Sequence, residues 1–545
     1  MFRRPIVVAF MVLLSFAAAC APQAGSPTPT PGGTGAVPKA TSGAVSVATP
    51  GTAAGKPQRG GTLIFAQSGE APQLDPALMT QALNKVWTRY MYNTLVQTNE
   101  SGDIIPELAT SWSSPDPQTL ELKLREGVKF HDGTDFNSQA VKFNIERILD
   151  PATKVLKSAA ARVAGIESVQ IVDDYTVRLH FKTPQPLQLV FLGDATTGGM
   201  VSPSAVKKWG DLNLHPVGTG PFEFVDWFKG DHLTLKRFDG YWRKDQFGDP
   251  LPYLDGLLIK PIPDGTVRLA NLRTGAADLV DSIIPSQLPT VKADSKLKTA
   301  EWGTIRFKLM LNNAMPPFNN KALRQAVDWA IDREAIHKAI YGGTGEPAIF
   351  FLDSKSWGFD PTIGKVHPKD NAKAKDKLAE AGMPAGFKFT ALSFNTDLEL
   401  RVVQAIKAQL AEVGIDMELV PLETGELAAR RVAGKDQANF TQGGPLYPDP
   451  DEIYSYLHSK GENNAGYIRY SNPQVDDLLE KARQASDKAE RKSLYAKVQA
   501  ITQEDVPFIN IHNNVTISAM KENLMGFTPT IANVYQQVDW LWLKK

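Results

Sequence analysis

Two patterns in this sequence have the residue types of a reactive or metal-binding site. Ser204 and Lys207 form SxxK, in which a hydroxyl and a nearby amine can act as nucleophile and base. The same two-residue pattern recurs at Ser295 and Lys298, and the KTG and SDN motifs that accompany it in serine acyl-enzymes are absent. The second pattern is "DPDE" at 449–452, carboxylates at calcium-like spacing. It lacks the glycine of an EF-hand loop, and Lys460 stands where the closing Glu belongs. None of the eight histidines lies within ten residues of another, and no HExxH, GxxxxGK[ST] or GxSxG occurs. "GTGPF" at 218–222 is glycine-rich but lacks phosphate-loop spacing. The expectation is a protein that is not an enzyme, with no metal and no cofactor; a secreted serine hydrolase using Ser204 and Lys207 is the outlying alternative.

The remaining reactive group is Cys20, the only cysteine in 545 residues, so no internal disulfide is possible. It ends an apolar run. Arg3 and Arg4 give a basic start, and Pro5 to Ala19 carries no charge. That run is too short for a membrane span, which needs about 20 apolar residues. It has the form of an export signal over 1–20. From Ala21 to Gln58 the chain is mostly Pro, Gly, Ser, Thr and Ala, with only Lys39 and Lys56 charged. Such a segment buries too little apolar surface to offset its conformational entropy. As a coil it spans roughly 35 Å root-mean-square and reads as a tether.

The elements that must position any site lie in 59–545. Net charge is zero, which gives no reason to expect a nucleic-acid partner. "TLELKLREGVKF" alternates Leu120, Leu122 and Leu124 against Glu121, Lys123 and Arg125, a half-buried strand. "VQIVDDYTVRLHF" predicts a hairpin turning at Asp173-Asp174. Val141, Ile145 and Ile148 fall at helical spacing, with Asn137 to cap the start and Pro151 to stop the helix. Later the rhythm changes. "FKFTALSF", "LRVVQAIKAQLAEVG" and "IDMELVPL" read as strand, helix and strand, a βαβ unit, with Gly414 ending the helix. Asn472 with Pro473, and Asp487 with Glu490, are helix starts.

Two resemblances follow from these stretches. Ala17-Ala18-Ala19-Cys20 followed by a polar tether resembles the bacterial lipoprotein signal, although that family usually has Leu where Ala17 stands. It implies a lipid on Cys20 and an exported protein, anchored to the outer face of the cell membrane or held in the periplasm. "LREGVKFHDGTDFNSQAVKFNIERI" (124–148), with "HPVGTGPF", "FNNKALRQAVDWAIDREAI" and "SNPQVDDLLEKAR", resembles the peptide/nickel solute-binding proteins, family 5. The resemblance implies an α/β fold of the periplasmic-binding-protein type II kind: a clamshell of two α/β lobes plus an extra β-rich domain. Domain I would be 59–95 with 195–305 and 511–545, domain II 96–194, and domain III 306–510. The chain would cross between lobes near Glu301–Phe307 and Pro507–His512. It further implies a monomer that captures a small solute by hinge closure and passes it to separate ABC permease and ATPase subunits.

Peptide-binding members commonly hold the ligand's α-ammonium with an Asp in a "DYPDP"-like segment. Here the segment is "GGPLYPDP", and Leu446 takes that position, while Asp449 matches the later Asp. The resemblance places the cleft at Ser68, Gly69 and Glu70, at Trp302 and Phe307, at Phe351 and Trp357, and at Gly444, Pro445, Leu446 and Tyr447. Glu70 is the first candidate to replace the missing Asp. An oligopeptide, an oligosaccharide or a metal chelate stay open as the ligand.

Overall fold

The computed structural model describes residues 56–79, 82–99, 103–363, 366–444, 449–528 and 538–545. Cys20, its apolar run and nearly all of the tether lie outside the described residues.

The central feature is an eleven-stranded mixed sheet. At one end the strands Lys388–Phe394 and Asp416–Leu422 run parallel and are joined by helix Asp397–Ala411. This is the βαβ unit read from the sequence. Gly414 adopts φ +87, the left-handed conformation that ends the helix. At the other end Thr62–Gln67 runs parallel to Gly256–Pro261 and to Leu279–Val280. Two long antiparallel strands, Leu297–Leu311 and Phe508–Lys521, join the halves.

These two strands serve different cores along their length. Leu297, Ile517 and Ala519 enter a core with Ala66, Leu269 and Val280. Phe307, Leu309, Ile509 and Ile511 enter another with Val327, Phe389 and Ile406. The register between them slips between Trp302 and Ile305, where the chain passes from one set of cores to the other.

The first family motif leaves a separate four-stranded antiparallel sheet at Leu124 and runs into the helix packed on that sheet. Leu120, Leu122 and Leu124 are buried as their alternation predicts, against Val177, Leu179 and Phe181 of the hairpin partner. Each such burial stabilises by about 1.5–3 kcal/mol. Helix Ser138–Leu149 covers them, and the Asn137 side chain accepts from the Ala140 N–H at 3.1 Å to start it.

The signature residues dock on the second motif, "GTGPF". The His131 N–H donates to the Gly218 carbonyl at 2.9 Å, and the ring Nε2 lies 3.0 Å from the Gly220 carbonyl. Ser202 Oγ donates to Asp132 Oδ2 at 2.6 Å. Glycine is required at 218 and 220. A Cβ there would stand 2.2 Å from the Met91 carbonyl oxygen and 2.4 Å from the Met91 carbonyl carbon, respectively. Burial holds the His131 imidazole down to about 4, so it is neutral at pH 7.

Candidate functional site

The loop after strand Thr62–Gln67 is fixed by buried polar partners. Ser68 donates its N–H to Asp281 Oδ1 at 2.7 Å and its hydroxyl to Oδ2 at 3.0 Å. Burial pushes the Asp281 carboxyl up to about 6 against the opposing pull of Arg268, whose Nε lies 3.6 Å away. Gly69 leads to Glu70, whose carboxylate is engaged. It accepts from Trp227 Nε1 at 2.7 Å and from the Gly230 N–H at 3.1 Å. As a replacement for the missing Asp, Glu70 would first have to give up these bonds.

On the crossing strand, Trp302 pairs with Thr516 immediately before the slip. Beyond it the strand alternates faces. Phe307 is buried in the core, edge-on to Tyr341 at 5.4 Å. Arg306 and Lys308 point to the opposite face, over the ring of buried Phe351 at 5.2 and 4.4 Å. The resemblance singled out Phe307; the charged residues on either side of it were not read from sequence. Two cations at i and i+2 in "RFKLML", an otherwise apolar strand, were the available signal.

Arg306 is buried and paired with Glu452 and with Asp353, the latter at 2.9 Å. Lys308 is 4% exposed, and burial, with the nearby Arg306 charge, brings its amine down to about 7. The aromatic wall continues from Phe351 to Tyr456 at 4.7 Å and on to Tyr467 at 5.9 Å. Arg431 closes it, with its guanidinium 5.3 Å from the Tyr467 ring and 4.9 Å from Phe394. Across the sheet Lys308 faces Thr441, and Met310 faces Asn439. Lys308, Arg431 and the pair Asn439 and Thr441 come from three separate chain segments, which is why no spacing revealed them.

Trp357 is half-buried, edge-on to Tyr495 at 5.9 Å, with Arg491 at 5.1 Å over its ring. Its buried Nε1–H finds no acceptor among the described residues. Gly444 follows the strand Ala438–Gly443; Pro445, Leu446 and Tyr447 lie outside the described residues. The "DPDE" carboxylates go to arginines. Asp449 takes Arg491 at 2.9 and 2.6 Å, Asp451 takes Arg483 at 2.8 and 2.9 Å, and Glu452 takes Arg306. Among the described residues no group of three or more His, Cys, Asp or Glu could hold a metal. The fold does join two histidines that sequence keeps far apart: His337 Nδ1 lies 2.9 Å from His512 Nε2. Ser204 and Lys207 are both exposed, on a helix capped by Ser202.

Residues 103–465 match the profile of the bacterial extracellular solute-binding proteins, family 5, middle region. The chain belongs to this family. As a family 5 member it is a substrate-binding protein of ABC transport. It is 32% identical over 489 residues to the glutathione-binding protein GsiB of Escherichia coli strain K12, an alignment covering 85% of this chain and 91% of that one. Among solved structures it resembles the periplasmic binding protein DppA from Helicobacter pylori in complex with the peptide STSA. There the TM-score is 0.78 at 29% identity, over 90% of this chain and 99% of the other. It also resembles AgaA from A. tumefaciens R10 in complex with agropinic acid, with TM-score 0.77 and 27% identity over 89% and 99%. The α/β clamshell expected from the sequence is therefore the fold of this family 5 protein. No helix among its described residues is long and apolar enough to cross a membrane.

Proposed function

We propose that this family 5 protein is the membrane-tethered receptor of an ABC importer for short peptides, glutathione included. The observation that carries the ligand class is its 32% identity over 489 residues to a glutathione-binding protein. The likeness to a peptide-bound DppA supports it.

Capture would proceed by hinge closure. The lobes would be domain I (59–95, 195–305 and 511–545) and domain III (306–510), with 96–194 as an outlying module. Only two strands, slipping register between Trp302 and Ile305, would need to bend. The solute would lie against the Ser68 loop, the Arg306–Lys308 face and the segments around Phe351, Trp357 and Gly444–Tyr447. The permease and ATPase subunits would be separate chains. Cys20, lipidated, and the tether behind it would keep the receptor outside the membrane near them.

Titration calorimetry with glutathione, trialanine and a dipeptide such as Met-Leu tests the ligand class. Micromolar or tighter binding of at least one is expected. Failure of all three, with tight binding of an uncharged sugar or a nickel chelate, would replace the peptide reading.

A further inference from the structure

A cavity of about 300 Å³ lies where four elements meet: the end of helix Lys321–Trp329, the start of helix Arg333–Ala339, the last turn of helix Lys488–Asp505 and the first residues of strand Phe508–Lys521. Its volume is at the lower end of the range for small-molecule sites. Phe350 lines it, whereas the next residue, Phe351, lies under Arg306 and Lys308. The cavity is therefore a different place from the cationic face. Trp329, Phe350, Val506 and Phe508 give it apolar walls. The charged groups that line it are spent on one another. Asp328 accepts from Arg333, and its other oxygen lies 2.8 Å from His367 Nε2. Arg333 donates its remaining N–H groups to the Asn510 carbonyl at 2.7 Å and the Asp328 carbonyl at 3.4 Å. Against the cost of burial, Arg333 and His367 hold the Asp328 carboxyl down to about 2, so it is ionised and matched at neutral pH. Two neutral groups are left over. The Asn510 side chain is 8% exposed, and among the described residues it makes no hydrogen bond. The half-buried Gln503 side chain makes none either. A buried carboxamide without a partner is costly, and a molecule that supplies the partner removes that cost.

We propose that this cavity is a second binding site, for a small uncharged planar ring with a carboxamide-like edge. The aromatic walls fit a flat ring. An ionic ligand would enter without a counter-ion, because Asp328 and Arg333 already neutralise each other. Asn510 and Gln503 each offer an N–H donor and a carbonyl acceptor, so a ligand edge with one donor and one acceptor answers them. Trp329 and His367, stacked at 3.8 Å, are only half-buried, and the cavity opens on their side. The inference goes beyond the importer reading and does not rest on it.

Ligand-observed NMR titrations with nicotinamide, benzamide and nicotinate test it, on the purified protein and on Asn510→Leu and Gln503→Leu. Thermal unfolding confirms that each variant folds. Gln503→Leu, at a half-buried helical position, carries the test if Asn510→Leu does not fold. Both amides should bind the parent in the millimolar range or tighter. Nicotinate, the same ring with a charge, should bind roughly tenfold or more weakly. Asn510→Leu should weaken nicotinamide roughly tenfold, and Gln503→Leu roughly threefold or more. Nicotinate binding as tightly as nicotinamide would overturn the choice of a neutral ligand. Amide binding that both variants leave unchanged would place the amides elsewhere and overturn the site. Binding of neither amide to the parent would leave the cavity to water alone and overturn it as well.

Discussion

Lys488 and Asp103, 385 positions apart, meet at 2.8 Å. Asp103 precedes the short strand Ile104–Pro106, and Lys488 opens helix Lys488–Asp505, which packs in the core of Phe351 and Phe508. Their pair therefore ties the module of the first motif to the half of the protein that carries Arg306 and Lys308. Lys488 holds the Asp103 carboxyl below the usual range.

Both side chains are about half exposed, so the pair is weak and salt-sensitive. If it latches the closed form, Lys488→Gln should weaken peptide binding about two- to fivefold, chiefly in the off-rate. Stopped-flow tryptophan fluorescence at 20 and 300 mM salt checks it: the parent's off-rate should rise with salt and the variant's should not. Identical salt slopes would remove the latch.

Asp281 organises the Ser68 loop. Its folded pKa, about 6, lies above the ordinary carboxyl value of 3.8. The sign follows: its contribution to stability is present below pH 3.8 and is lost as pH rises to 6. Asp281→Asn removes that titration. The variant, compared with the parent, should gain roughly 2–3 kcal/mol between pH 4 and pH 7. Urea unfolding at the two pH values measures the difference.

His131 titrates in the opposite sense. Its folded pKa, about 4, lies below the ordinary 6.5, so the stability it contributes is complete above pH 6.5 and is lost as pH falls toward 4. The loss at pH 4 is roughly 3 kcal/mol. His131→Gln should show a shallower fall of melting temperature between pH 7 and pH 5 than the parent; an equal slope would place the acid lability elsewhere.

Cys20→Ser should release the protein from membranes into the medium or periplasm. Fractionation followed by immunoblotting checks this, and equal membrane association of mutant and parent would exclude Cys20 as the anchor.

The fold was legible where the signal is local. The alternation at Leu120, Leu122 and Leu124, the caps at Asn137, Asn472 and Asp487, and the βαβ unit all stand as read. Each depends on neighbours within one turn or one strand or, for the βαβ unit, on three consecutive elements. The cationic face was not legible as a site. Two cations at i and i+2 mark one face of an apolar strand, but Lys308 meets Phe351, Tyr456 and Thr441 only through folding. Glu70 illustrates the converse: the resemblance singles it out, but its partners Trp227 and Gly230 come from a hairpin more than 150 residues away.

The two crossing strands also set an order of assembly. Leu279 pairs with Met520, and Leu297 pairs with Lys521, across more than two hundred residues of intervening chain. At synthesis rates of about 5–20 residues per second, the edge of Leu279–Val280 waits tens of seconds for its partner strand. Meanwhile the strands Lys388–Phe394, Asp416–Leu422 and Ala438–Gly443 can pair among themselves. The half that carries the cationic face thus reaches its native contacts as an inserted unit, and the half that begins the chain is completed last, when Lys545 donates its N–H to Gln58 at 2.8 Å.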